Sequence, residues 1–269
     1  MPYVETNGIK LYYEEQGSGE PLLLIMGITA AGSVWEKHAA YWQQHFRCIL
    51  GDNRGVGLSD KPVGSYTTEQ MADDYAGLLQ QLNIRAAHVV GCSMGSTIAQ
   101  QLALRHPDKV KSLVLMCTWA RCDRMAKAIF QHMKNIKAAL KPAEFMHYIQ
   151  LLIYSKKSFD DDTVYAEMIT GQQEAAGQPD QQQLYALEAQ ADACMSHNTL
   201  DQLSRIYQHT LVIGGQDDIF TPAWMSKEVS AAIPGSELFL YPHSGHAFHW
   251  ENLEDFNERV VNWLKNNES

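Results

Sequence analysis

The sequence predicts an α/β domain: a mostly parallel, doubly wound sheet flanked by helices and interrupted by one inserted helical stretch. Three observations carry this reading. Short apolar runs recur along the chain, each bounded by Gly, Pro or polar turn residues, as strands buried on both faces are. Stretches of helical period separate them, and β then α alternation builds a parallel sheet covered on both sides. One interval, between Trp119 and Arg205, breaks the alternation, having no clear strand and many helix formers such as Met125, Ala126, Ala128, Ala138, Leu140 and Leu187. A chain of 269 residues suffices for one sheet with one insertion. The predicted division is a core of residues 1–119 and 206–269 with a helical cap at 120–205.

The chain begins with a predicted antiparallel hairpin, Tyr3 to Thr6 and Ile9 to Glu15, turned at Asn7-Gly8, a pair that tolerates the positive φ of tight hairpin turns. Leu22 to Met26, Arg47 to Leu50, Ala87 to Val90, Ser112 to Met116, Thr210 to Ile213 and Glu237 to Tyr241 are the predicted parallel strands, making eight in all. Thr67 to Leu82 reads as a helix, with Thr67 and Gln70 in capping-box spacing. Another helix runs from Gly95 to Pro107. At the C-terminus Leu253, Phe256, Val260, Val261 and Leu264 fall on one helical face, and Asp255, Glu258 and Arg259 on the other. Gly171, Gly177 and Pro179 are expected to divide the insertion, where glutamines gather at Gln181 to Gln183.

Composition removes several function classes. With 45% hydrophobic and 10% aromatic residues the chain has ample core material, so disorder is excluded. A net charge of -10 and a pI near 5.5 argue against nucleic-acid binding, which needs a basic face. The longest early apolar run, Leu22 to Met26, is too short to span a bilayer, and Met1 to Glu5 carries no basic leader. Five irregularly spaced cysteines do not form a disulfide framework and fit a reducing compartment, so a cytoplasmic location is expected.

The chemistry is concentrated in three short segments. Gly91-Cys92-Ser93-Met94-Gly95 lies between a predicted strand and a predicted helix. A sharp turn there lifts a serine hydroxyl out of the backbone, small neighbours let strand and helix approach, and the helix N-terminus offers N–H groups to a developing oxyanion. A serine hydroxyl is a poor nucleophile at neutral pH, so a base and an orienting carboxylate should follow. Asp217 and Asp218 stand after the strand Thr210 to Ile213; His243, His246 and His249 stand after Glu237 to Tyr241. Spacing alone leaves Asp217 and Asp218 both open, and likewise the three histidines. As an HxxHxxH series the histidines also raise the question of a metal, but Ser244-Gly245 places them in a loop where residues three apart do not share a face. No GxGxxG run is present, so no dinucleotide site is expected.

These residues resemble the α/β-hydrolase superfamily over nearly the whole chain outside the insertion. Gly215, Asp218 and Pro222 are similar to its acid loop, which favours Asp218 over Asp217; Gly245-His246 with Glu251 is similar to its histidine loop. Asp52, Arg54, Gly55, Gly57 and Ser59 match its DxRGxGxS segment, read as structural. Where the family usually has His-Gly after the third strand, this chain has Met26-Gly27. The resemblance implies an α/β-hydrolase fold, the triad Ser93, Asp218 and His246, oxyanion donors at the backbone N–H groups of Ile28 and Met94, and no cofactor or metal. Among capped members the layout is most similar to 3-oxoadipate enol-lactonases, aminoacrylate hydrolases and small carboxylesterases.

The expected function is a serine hydrolase of a small ester or lactone, with no nucleic-acid or membrane partner. The same triad resemblance admits carbon–carbon or C–N hydrolases, hydroxynitrile lyases and cofactor-free peroxidases, and the same fold admits a non-catalytic small-molecule sensor. Gly27 and Trp119 are expected at the substrate pocket. Ala120 to Lys157 holds eight basic residues against Asp123 and Glu144, so Arg121 or Arg124 is expected at the pocket mouth, attracting an anionic substrate. The bland alternative is that these charges are solvated helix faces.

Overall fold

The computed structural model describes residues 2–177 and 182–267. Its eight strands are β1 (Tyr3–Thr6), β2 (Ile9–Gln16), β3 (Pro21–Ile25), β4 (Arg47–Gly51), β5 (Ala87–Cys92), β6 (Val110–Met116), β7 (His209–Gly215) and β8 (Glu237–Tyr241). They form one sheet in the order β1-β2-β4-β3-β5-β6-β7-β8. β1 and β2 pair antiparallel, β2 joins β4 antiparallel, and every pairing from β4 to β8 is parallel. This is the α/β-hydrolase fold that the sequence predicts, with strand ends differing by one or two residues. β5 is buried along its whole length, as a strand with helices on both faces must be.

The helices are α1 (Glu36–Trp42), α2 (Thr68–Gln81), α3 (Met94–Arg105), α4 (Arg124–Ala139), α5 (Pro142–Ile153), α6 (Lys156–Asp160), α7 (Asp162–Gly177), α8 (Leu184–Ser196), α9 (Ala223–Ala232), α10 (Phe248–Glu251) and α11 (Leu253–Asn266). Two apolar clusters fill the layers, one around Leu23, Ile25, Val89, Ile98 and Leu113, the other around Leu22, Leu24, Val90, Val114 and Phe256. Alternate β3 residues thus feed opposite faces of the sheet. Thr67 caps α2, its hydroxyl accepting from Gln70 N at 3.1 Å.

Five helices, α4 to α8, occupy the interval between β6 and β7. Asp123 caps α4 by accepting from Ala126 N at 2.8 Å, and Pro142 opens α5. An antiparallel bridge between Arg121 and Asn198 brings the two ends of this stretch together. Gly171 lies inside α7 and does not divide it; α7 ends at Gly177. Pro179 and Gln181 lie outside the described residues. Among the described residues no helix is long and apolar enough to cross a membrane.

The DxRGxGxS segment braces the loops beside β4. Asp52 accepts from Gly32 N at 2.6 Å and Leu58 N at 2.7 Å, and Ser59 donates to the Asp52 carbonyl at 2.7 Å. Arg54 meets Asp74 of α2 through two 2.6 Å hydrogen bonds, both side chains buried. Breaking such a pair strands a buried charge, so the segment is structural in its geometry.

Candidate active site

Ser93 sits at the turn from β5 into α3 with φ 54° and ψ -121°, a conformation that L-residues rarely adopt. The strain is held from both sides. Ser93 N donates to the Met116 carbonyl of β6 at 2.9 Å, and the Ser93 carbonyl accepts from Ser96 N at 2.8 Å. A Cβ on Gly95 would strike the Ile25 carbonyl and one on Gly91 the Gly95 carbonyl, so only glycine lets strand and helix close here. The Ser93 side chain does not cap α3, which removes the ordinary reason for a serine before a helix. Its Oγ is buried and has no hydrogen-bond partner among the described residues.

Asp218 and His246 come from the loops after β7 and β8. His246 Nδ1 lies 2.8 Å from Asp218 Oδ2, with both side chains buried. A carboxylate only accepts, so Nδ1 carries the proton and Nε2 is left as the base. Asp218 Oδ1 accepts from the backbone N–H groups of Phe220 and Thr221 at 2.8 and 2.9 Å, and Thr221 Oγ1 lies 2.9 Å from Oδ2. Thr221, also 3.0 Å from His246 Nδ1, went unnoticed in the sequence; a hydroxyl residue just past the i+2 position that an Asx turn at Asp218 engages was the available signal. Burial disfavours the His246 cation, but the charge and hydrogen bond of Asp218 outweigh it, so the imidazole pKa stands above its ordinary value. Asp217 is exposed and uses its backbone N–H to reach the Ser244 carbonyl at 2.9 Å.

Ser93 and His246 open onto one cavity of about 550 Å³, a size suited to a small organic molecule. They do not hydrogen-bond each other. The walls are chiefly apolar: Met26, Ile28 and Val34 come from the sheet side, and Met133, Phe145 and Ile149 from α4 and α5. Gly27 lines the floor, where a Cβ would stand 3.2 Å from that of Ser93. Met94, buried, begins α3 directly after the serine.

The alpha/beta hydrolase fold family matches residues 20–253 of the chain. The protein belongs to that family. It is 33% identical over 264 residues to BpoC of Mycobacterium tuberculosis, which carries the name of a non-heme bromoperoxidase, covering 95% of this chain and 98% of that one. The crystal structure of BpoC superposes with a TM-score of 0.88 at 31% identity, covering 96% and 97% of the two chains. RutD of Azorhizobium caulinodans, named as a carbamate hydrolase, is 28% identical over 261 residues, 97% of each chain. A thermophilic esterase from Thermogutta terrifontis, solved with malate bound, gives a TM-score of 0.85 at 27% identity, covering 100% of this chain and 98% of that one.

Three substrate-pocket expectations need correction in this hydrolase. Trp119 does not line the cavity: it is buried beside Phe130, ring centroids 5.9 Å apart, with His197 on another side. Arg121 faces away, held at the bridge to Asn198 with its guanidinium 3.6 Å from Glu228 of α9. Arg124 is exposed in the first turn of α4. Neither arginine lines the cavity; from α4 Met133 and Lys137 do, while Ala126 and Phe130 pack into the core. Lys137, one turn beyond Met133, is the Lys or Arg that lines the cavity among the described residues, its Nζ 4.7 Å from the Phe145 ring centroid. The basic stretch was legible in the sequence; which of its members faces inward was not.

The other histidines separate. His243 is exposed with φ 53°. His249 lines the cavity wall, but its Nδ1 pairs at 2.9 Å with His38 Nε2, and His38 Nδ1 lies 2.7 Å from Asn257 Oδ1. Burial lowers both, His38 to about 4 and His249 well below the ordinary value, so this pair is neutral near pH 7. The HxxHxxH series therefore forms no ligand set. Among the described residues the group with metal-ligand proximity is Cys117, Asp218 and His246, and there the Cys117 thiol donates to the His246 carbonyl at 3.0 Å.

Proposed function

We propose that this α/β hydrolase is a serine hydrolase cleaving a small carboxylic ester or lactone through an acyl-enzyme. The observation that carries the reading is a serine held in a strained turn, its hydroxyl without a partner, sharing one cavity with the His246–Asp218 pair. Ser93 Oγ attacks the acyl carbonyl while His246 Nε2 takes its proton, and Asp218 holds Nδ1–H and offsets the imidazolium charge. The Ile28 and Met94 N–H groups receive the oxyanion, so Met26 in place of histidine leaves the donors intact. His246 returns the proton to the leaving oxygen, then deprotonates the water that releases the acid and restores the serine.

Helices α4 to α8 act as a cap that supplies the apolar wall, which favours an acyl or alcohol part of modest size. A relative named as a thermophilic esterase was solved with malate bound, which is consistent with a substrate carrying a carboxylate. All five cysteines are free, in keeping with a reducing, cytoplasmic setting.

Likeness to BpoC favours a second reading on the same groups, in which hydrogen peroxide instead of water attacks the acyl-enzyme and releases a peroxy acid. Pre-steady-state mixing with p-nitrophenyl acetate tests the first reading: a stoichiometric burst of p-nitrophenol is expected, absent from Ser93→Ala. No burst despite tight ester binding would instead mean a ligand sensor. Adding hydrogen peroxide and assaying peroxy acid separates the two catalytic readings.

A further inference from the structure

His246 is fixed by more than its acid. The loop on either side of it is tied to the cap, directly at Ala247 and through Glu251 of α10 at Gly245. Ala247 N donates to the Ile153 carbonyl at 2.8 Å, while Gly245 N donates to Glu251 Oε2 at 2.9 Å. The other oxygen of Glu251 accepts from Ser155 N at 2.8 Å and from Ser158 Oγ at 2.6 Å, at the start of α6. Ser155 and Ser158 are themselves buried. The fit is close: a Cβ on Gly245 would stand 2.6 Å from the Ile153 carbonyl, leaving no room between loop and cap. Ile153 and Tyr154, in the same stretch, line the substrate cavity.

We propose that Glu251 is a positioning residue for the catalytic imidazole, joining the Ser244–Gly245 peptide of the histidine loop to residues 155 and 158 of the cap, so that the base takes its position from the cap as well as from Asp218. This rests on reading His246 as the base. A carboxylate suits the task because it accepts three N–H or O–H donors arriving from two directions, which no neutral side chain of that length does. Cap residues that touch substrate at Ile153 and Tyr154 are thereby continuous with the residue that moves the proton, and a displacement of about 1 Å there is enough to lower turnover severely.

The titratable groups around His246 are Asp218 after β7, Cys92 ending β5, Cys117 after β6, Tyr154 ending α5, and His249 and Glu251 on α10. Glu251→Gln keeps the shape but turns an NH₂ toward donors and removes a charge. Ser158→Ala leaves every one of those charges in place and removes one hydrogen bond on the cap side only. Two readouts are needed. In Glu251→Gln, kcat is expected to fall about 10-fold or more with KM changed less than about 3-fold and full burst amplitude, and Ser158→Ala to move kcat the same way by about 3-fold. NMR titration of the His246 ring, which needs no turnover, should give a lower pKa in both variants as the bond to Asp218 loosens, by about 0.3 unit in Ser158→Ala. An unchanged ring titration in folded Ser158→Ala overturns the proposal, as does a loss in burst amplitude with normal turnover per active molecule. Failure of the serine-hydrolase reading shows separately, as activity surviving Ser93→Ala.

Discussion

The loops at the sheet's carboxyl end and the helices above them solve different problems with different materials. Ser93, Asp218 and His246 sit on strand ends, buried, their loops locked by backbone on backbone: a Cβ on Gly215 would strike the Ser244 and Gly245 carbonyls, tying the acid loop to the histidine loop. The α4 to α8 stretch packs mainly helix against helix, and its faces carry the chain's densest run of basic residues, most of them in solvent. One region holds the polar side chains of the site between closely packed loops; the other supplies much of the cavity wall. Changes in the first should therefore act on the chemical step, and changes at cavity-lining positions of the second on which substrate is taken, with Ser155 and Ser158 set apart because Glu251 ties them to the histidine loop.

The sharpest way to break that contrast is at the acid. Asp218→Asn should lower kcat by about 10³-fold or more, because the imidazole then loses the partner that fixes its tautomer, while Asp217→Asn, in solvent, should stay within about 3-fold. The pH profile adds a sign. The base must be neutral, so kcat/KM rises with pH through the His246 pKa, which Asp218 holds above the ordinary imidazole value; in Asp218→Asn the limb moves down. Equal losses at the two positions would remove the distinction between buried and exposed acid.

A smaller effect is expected from the wall. Ile149→Ala should shift kcat/KM about 3- to 10-fold between a short and a longer acyl ester and leave the burst amplitude unchanged. Arg121→Ala and Arg124→Ala should leave both substrates alike. If Arg121→Ala instead reproduces the Ile149→Ala selectivity, substrate choice is not made at the cavity wall.

The same contrast explains what the sequence made legible. Five of the parallel strands, β3 to β7, announce themselves because burial on both faces demands unbroken apolar runs, whereas β8 lies half-exposed at the sheet edge and shows through Leu238, Phe239 and Tyr241; Ser93 shows because the turn at Gly91 and Gly95 tolerates no side chain. Asp218 could be chosen over Asp217 only through resemblance; the physical reason, two backbone N–H groups closing on one carboxylate oxygen, depends on a loop shape that spacing does not encode. In the cap, helix composition was plain, but the inward face of α4 was not. Arg121 and Arg124 stand before the helix's second turn, and which face of α4 meets α5 and the cavity, the one bearing Met133 and Lys137, depends on tertiary packing that spacing does not encode. Glu251 was visible as a spacing after His246, whereas its hold on Ser155 and Ser158 joins positions 96 and 93 residues apart.

The central claim is that Ser93 forms the acyl-enzyme, and covalent trapping measures that most directly. Incubation with a small fluorophosphonate followed by intact-mass and peptide analysis should give one adduct per chain, located on Ser93, absent from Ser93→Ala and slowed by about 10²-fold or more in His246→Ala, where the base is gone. An adduct on Cys92, or labelling of Ser93→Ala at the wild-type rate, would contradict the assignment.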